Sequence, residues 1–287
     1  MTTTTVTATF DFLQWQPSYT THKPYEILVP LPATTTPVPR SNLVFEPHTV
    51  PVADARGREA SFALDSHGFA LLRHPAGAAA DLKDRAAVAG AYVPEMEAFL
   101  RGHLGGDVET FCFDFRLRES IHPDEFCKRT VNLEDGFDPL LPATHPHIDQ
   151  TTQGAIRRVR RHMGDRADEL LKGRIRIINI WRPLAPVRSW PLALCDARTV
   201  APSDLVKCDI VRRRYVGETY FGRFSPEQRW WYLSGMTREE VVLVKVYDSD
   251  ADVLASRCLH ASFLLDETQP PAVRESMELR VLVFGPD

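Results

Sequence analysis

The stretch "ATHPHIDQTTQG", residues 143–154, sets His145, His147 and Asp149 at alternate positions. Alternate residues of an extended strand point to the same face. Three groups able to ligate a metal would therefore line one side of a sheet. Side chains two apart on a strand lie near ~7 Å and those four apart near ~13 Å, at about 3.3 Å rise per residue. Three ligands from so short a segment reach one ion with difficulty. A ligand from a second strand reaches it more easily.

Two imidazoles and one carboxylate on one face of an octahedral ion leave three positions open. This set suits non-heme Fe(II), which must bind a co-substrate and dioxygen together. Its sequence form is H-x-D or H-x-E on one strand and a distant histidine on another. Here "HID" supplies His147 and Asp149, and His260, in "SRCLHASF", is the only histidine after His162. The separation of about 110 residues leaves room for the intervening strands of a double sheet. His147, Asp149 and His260 are the expected metal ligands, with His145 behind them or in the pocket wall.

The surrounding pattern is mostly strand. "ETFCFDFRLRES" and "RIRIINIWRPL" alternate, with Ile175, Ile177 and Asn179 on one face of the second and Ile178 and Ile180 on the other. "RRRYVGETYFGRF", "RWWYLSG", "EVVLVKVYDSD", "RCLHASFLLDE" and "SMELRVLVFGPD" follow between turn residues. Many short strands so spaced predict an antiparallel sandwich or barrel. Helical spacing shows in 78–104 and in "GAIRRVRRHMGDRADELLKG". The fold class expected is mainly β with helical decoration, a distorted jelly roll. Arg157, Arg158, Arg160 and Arg161 read as a solvated helix face, with an anion-binding patch as the alternative.

One domain over 1–287 is expected: an extended Pro/Thr-rich arm at 1–60, a strand and helix at 61–108, and the jelly-roll core at 109–287. The net charge of −4 provides no basic field for nucleic acid. No apolar run approaches the ~20 residues that cross a bilayer. "MTTTTVTATF" lacks the basic and apolar regions of a secretory signal. Five scattered cysteines without a C-x-x-C pair argue against a disulfide scaffold and for a reducing, cytoplasmic setting. The oligomeric state stays open, a homodimer being one arrangement.

After His260 comes "RESMELR", in which Arg274-x-Ser276 puts a guanidinium and a hydroxyl on one strand face. A guanidinium fork matches a carboxylate bidentately, and the hydroxyl adds a bond. A dicarboxylate that chelates iron at one end needs such an anchor for its other end. Arg280 is the second candidate for this role, and Tyr220 joins the co-substrate site. Asn179, Trp181, Arg182, Trp231 and Lys245, with His145, are the expected substrate-pocket residues. Lys245 interrupts "VVLVKVY", where a charge is costly unless paired. It reads either as a carboxylate anchor or as an edge lysine that discourages aggregation.

The segments "HPHIDQT", "NIWRPL", "PLALCDA", "GETY", "RWWYLSGM", "VKVYDSD", "RCLHASF" and "RESMELRVLVF" together resemble the Fe(II)/2-oxoglutarate-dependent oxygenases. More narrowly, they resemble the fungal and bacterial secondary-metabolite group of AsaB-type hydroxylase/desaturases and the CmcJ-type cephamycin methoxylase component. The resemblance spans roughly residues 110–285, which it implies form a double-stranded β-helix of the cupin-like, jelly-roll kind. It implies Fe(II), 2-oxoglutarate and O2 as cofactors, His147, Asp149 and His260 as iron ligands, and Arg274 with Ser276 as the carboxylate clamp. The implied substrate is a small natural product or amino-acid derivative that undergoes hydroxylation, desaturation, ring formation or peroxide chemistry. Two rivals stand beside it. One is an iron oxidase resembling isopenicillin N synthase that uses R-x-S for the substrate's own carboxylate. The other is a non-enzymatic cupin-like metal-binding protein.

Overall fold

The computed structural model describes residues 4–29, 39–75, 81–266 and 271–285. The Pro/Thr-rich stretch at 30–38 and positions 78–80 of the expected helical stretch lie outside them. Fourteen strands are described: β1 (Thr5–Leu13), β2 (Tyr25–Ile27), β3 (Phe45–Asp54), β4 (Phe69–Arg73), β5 (Glu109–Glu119), β6 (His147–Ile148), β7 (Ile175–Pro183), β8 (Leu192–Cys195), β9 (Leu205–Arg212), β10 (Tyr215–Gly222), β11 (Trp230–Tyr232), β12 (Glu240–Asp248), β13 (His260–Ser262) and β14 (Glu275–Phe284). They form a nine-stranded sheet, in the order β1-β3-β11-β8-β13-β6-β10-β9-β2, and a five-stranded sheet, in the order β4-β12-β7-β14-β5.

The five-stranded sheet is antiparallel throughout. Its central strands β7 and β12 are buried at every residue. That burial explains their near-continuous apolar runs, since both of their faces are covered. On one face Ile178, Ile180, Val241, Leu243, Leu279 and Val281 pack with Met96 and Leu100 of the helix Val93–His103. On the other, Trp181, Val242 and Val244 meet Leu194 and Leu233 of the nine-stranded side. Each such fully buried aliphatic side chain contributes about 1.5–3 kcal/mol.

The strand period then sorts the polar residues. Ile178, Ile180, Leu279 and Val281 face the helix, so Asn179, Glu278 and Arg280 face the space between the sheets. The helix Thr152–Met163 follows β6 directly, and its N-cap Thr151 accepts from Gly154 N at 3.1 Å. Thr151 Oγ1 also donates to Glu218 Oε1, tying this helix to β10. β1 and β3, from the region expected as an arm, pair along their whole lengths and place Phe10 against Trp230, with ring centroids 4.8 Å apart. Among the described residues no helix is long and apolar enough to cross a membrane.

Candidate metal centre

β6 is flanked by β13 and β10, and the register sets His147 directly opposite His260 on one side and Phe221 on the other. The two imidazoles lie with centroids 4.5 Å apart. Ligand atoms of His147, Asp149 and His260 all fall within 4.8 Å of one another, close enough to hold one metal ion.

The tautomers suit ligation. His147 Nδ1 lies 2.8 Å from the carbonyl oxygen of His145, and His260 Nδ1 lies 3.1 Å from that of Cys258. Each Nδ1–H therefore donates to a carbonyl two residues back, which leaves Nε2 with its lone pair for an ion. Burial first, and the His147 ring second, push His260 down to about 3, so its ring stays neutral.

Asp149 is oriented from the facing sheet. Asn179 on β7 and Arg280 on β14 are direct cross-strand neighbours. Asn179 Nδ2 donates to Asp149 Oδ2 at 2.7 Å and Arg280 Nε donates to the same oxygen at 3.0 Å. The other oxygen, Oδ1, lies 3.5 Å from His147 Nε2 and faces the ligand cluster. Burial alone would raise the Asp149 carboxyl, but Arg280 and His147 outweigh it and hold the group well below the ordinary carboxylate range.

Arg274, just before β14, is 2% exposed. Its guanidinium donates to the hydroxyls of Ser276 and Ser262, the latter at 3.2 Å, and lies 5.6 Å over the Trp181 ring. Among the described residues it has no ion pair, and its Nε has no partner. Burial pushes it down to about 9. A buried guanidinium held by hydroxyls alone is costly until an anion meets it. A small space of about 10 Å³ beside the two histidines is bordered by Arg118, Trp181, Ser262 and Glu278, and Ser262 accepts from Arg274.

The profile described as "YDMC: Oxidoreductase/YMDC permease-like domain" matches residues 10–284. The Fe(II)/2-oxoglutarate-dependent dioxygenase nvfI of Aspergillus novofumigatus is 34% identical to this chain, over 91% of it and 90% of the relative. The hydroxylase/desaturase efuI of Hormonema carpetanum is also 34% identical, over 86% of this chain and 87% of its own. The chain belongs to the Fe(II)/2-oxoglutarate-dependent oxygenases. Among solved structures, the iron and alpha-ketoglutarate-dependent endoperoxidase NvfI superposes with a TM-score of 0.82 at 31% identity, covering 99% of both chains. The fold of this oxygenase is accordingly the jelly roll, and its cofactors are Fe(II), 2-oxoglutarate and O2.

The remaining residues named from the oxygenase's sequence divide sharply. His145 lines the open cleft beside the triad, its ring centroid 3.8 Å from that of Phe45. Trp181 backs Arg274, and Asn179 and Arg280 both donate to Asp149. Tyr220 is turned away: its neighbour Phe221 shares the His147 position across the ladder, while Tyr220 pairs with Ile148 and lies under Arg257 at 5.1 Å. A single step along β10 separates the two faces. Arg182 is bound behind the sheet by the Tyr92 hydroxyl at 3.0 Å and by the Arg238 carbonyl at 2.5 Å. Trp231 packs on Phe62, with Arg58 5.0 Å over its ring. Lys245 lies in a closed ion network with Asp65 and Asp248. The fold therefore takes Tyr220, Arg182, Trp231 and Lys245 out of the site.

Four arginines that the sequence reading left unassigned, or placed on a solvated face, enter it instead. The cleft of about 240 Å³ beside the triad is bordered by Arg116, Arg118, Arg158 and Arg212, together with Arg280. They come from β5, β9 and the helix after β6, so no local spacing announces them. A larger cavity of about 690 Å³ lies elsewhere, and its charges neutralise one another through Arg56–Glu240 and Arg73–Glu239 pairs. It has none of the ligand cluster, and chemistry rather than size selects the smaller cleft.

Proposed function

We propose that His147, Asp149 and His260 hold the Fe(II), that Arg274 and Ser276 anchor the far carboxylate of 2-oxoglutarate, and that a small molecule enters through the arginine-lined cleft to be oxidised. The observation that carries this reading is the convergence of three ligand atoms within 4.8 Å from β6, β13 and the turn after β6, both imidazoles having Nδ1 already engaged.

When bound, the iron with 2-oxoglutarate and dioxygen supplies oxidation of a substrate C–H bond coupled to release of carbon dioxide and succinate. The chain's own residues provide position and electrostatics. Asn179 and Arg280 fix which oxygen of Asp149 is presented. The carbonyls of His145 and Cys258 fix the tautomers of the two histidines. The Arg274 guanidinium gains the anion that its burial leaves it without, which orients the co-substrate along the space toward His147. Trp181 and Leu192 give the small space beside the histidines an apolar border. The reaction takes place in the cytoplasm in this reading, on a natural-product or amino-acid-derived substrate. The hydroxylase/desaturase and endoperoxidase names of the relatives set the range of outcomes.

Anaerobic titration of the chain with Fe(II) and 2-oxoglutarate tests the reading. A visible absorption band should appear only when both are present, and His260→Ala and Asp149→Ala should each abolish it. A native chain that gives no band, or variants that keep it, would rule the assignment out. Succinate release coupled to substrate loss excludes the rival in which Arg274 holds the substrate's own carboxylate.

A further inference from the structure

The cleft beside the triad has more cations than anions to meet them. Arg118, Arg158 and Arg212 form no ion pair with a carboxylate among the described residues. Arg118 donates to the Leu141 carbonyl at 2.8 Å, and Arg212 reaches the Leu133 carbonyl only at 3.4 Å. Arg158 lies 4.3 Å over the ring of Tyr215, and its buried Nε has no partner. Tyr215 pairs directly with Arg212 across the β9–β10 ladder, and the exposed Arg161 also lies over its ring, at 5.0 Å. The Tyr215 hydroxyl and Gln150 Oε1, which border the same cleft, are likewise buried without a partner.

The acids of the cleft do not neutralise these groups. Asp149 and Asp114 are engaged by Arg280, at 3.0 and 2.8 Å. Glu218 is held by Lys23 and Thr151. Among the described residues Glu26 forms no ion pair, and burial raises it toward the neutral form, with Arg212 opposing that in part. Burial is the largest influence on Arg158 and Arg212 and lowers both; Arg280 adds to it, while Tyr215 and Asp114 at Arg158, and Asp114, Asp149 and Glu26 at Arg212, offset it only in part. A neutral substrate would leave these cations desolvated and unmatched, which is unfavourable.

We infer that the substrate carries a carboxylate and that Arg158 and Arg212, set about Tyr215, bind it. The inference rests on the proposed oxygenase site, since it takes the cleft beside the triad as the substrate's. The guanidinium fork fits a carboxylate in two bonds, and the Tyr215 hydroxyl adds a donor. The remainder of a small molecule then extends toward His147 in the same cleft.

The test is anaerobic calorimetric titration of the full chain loaded with Fe(II) and saturating 2-oxoglutarate, which keeps probes off Arg274. The probes are benzoate and phenylacetate against benzamide and phenylacetamide. The carboxylates should bind about tenfold or more tightly than the amides. Arg158→Gln and Arg212→Gln should each remove that preference, Arg158→Lys should retain part of it, and salt should weaken it. Equal binding of the two classes, no binding of the carboxylates, or a preference that survives both glutamine substitutions together would overturn the inference. The visible band is read in every sample. Its absence from the native chain contradicts the oxygenase site itself, and the same probes titrated into the metal-free chain then decide the carboxylate preference separately.

Discussion

Two buried cations, Lys245 on β12 and Arg274 just before β14, have opposite surroundings. Lys245 meets two carboxylates, Asp65 and Asp248, and Asp248 is held in turn by Arg174 at 2.8 Å. Arg274 meets two hydroxyls and an aromatic face, with no carboxylate paired to it among the described residues. The first network is closed and its charges cancel internally. The second is open and lacks one anion. A buried charge is destabilising unless paired, so the closed network serves the fold, and the open one is the proposed anchor for 2-oxoglutarate. Burial alone does not distinguish them; the absence of a partner does.

Separate substitutions break the comparison in separate ways. Lys245→Met leaves Asp248 with Arg174 only and should lower unfolding stability by about 3 kcal/mol, measured by denaturant titration. The folded protein should keep its affinity for 2-oxoglutarate, and a loss of that affinity with unchanged stability would reverse the roles assigned to the two cations. Arg274→Gln should weaken 2-oxoglutarate about 100-fold, on the scale of truncating one partner of a buried charged pair. Fe(II) binding should change little, and removing an uncompensated cation should not reduce stability. The smallest effect is expected at Asn179. Asn179→Ala removes one of the two bonds on Asp149 Oδ2 and should weaken Fe(II) binding about tenfold, read by competition with a chelator, while 2-oxoglutarate affinity of the iron-loaded protein stays within about twofold of native.

The same contrast explains what could be read from sequence. His147 and Asp149 were legible because a two-residue spacing on a strand has one geometric meaning, and His260 because no later histidine competes with it. Arg274 and Ser276 were expected on one strand face, and the guanidinium does donate to the hydroxyl. The strand period correctly put Asn179 opposite Ile178 and Ile180. It did not place Tyr220, because the strand "GETYFG" is flanked by glycines and offers no apolar alternation to fix its phase; Phe221, one residue on, holds the inward position. Lys245 illustrates a second limit. A charge in an apolar run has to be paired; one partner, Asp248, is three residues on, but strand alternation puts i and i+3 on opposite faces, and the other, Asp65, lies 180 residues away, so the spacing did not announce the pair. Arg158 illustrates a third. In "RRVRR" the four arginines look alike, yet Arg160 and Arg161 are exposed, Arg161 covering the Tyr215 ring from outside, while Arg158 borders the cleft. That choice depends on where β10 lies, which only the fold supplies.

The most direct measurement is an anaerobic crystal structure of the protein with Fe(II) and 2-oxoglutarate. The account predicts one ion bonded to Nε2 of His147, Nε2 of His260 and the Asp149 carboxylate, with the far carboxylate of 2-oxoglutarate on Arg274 and Ser276. An ion bound without His260, or a co-substrate whose far end turned instead to Arg158 and Arg212, would contradict it.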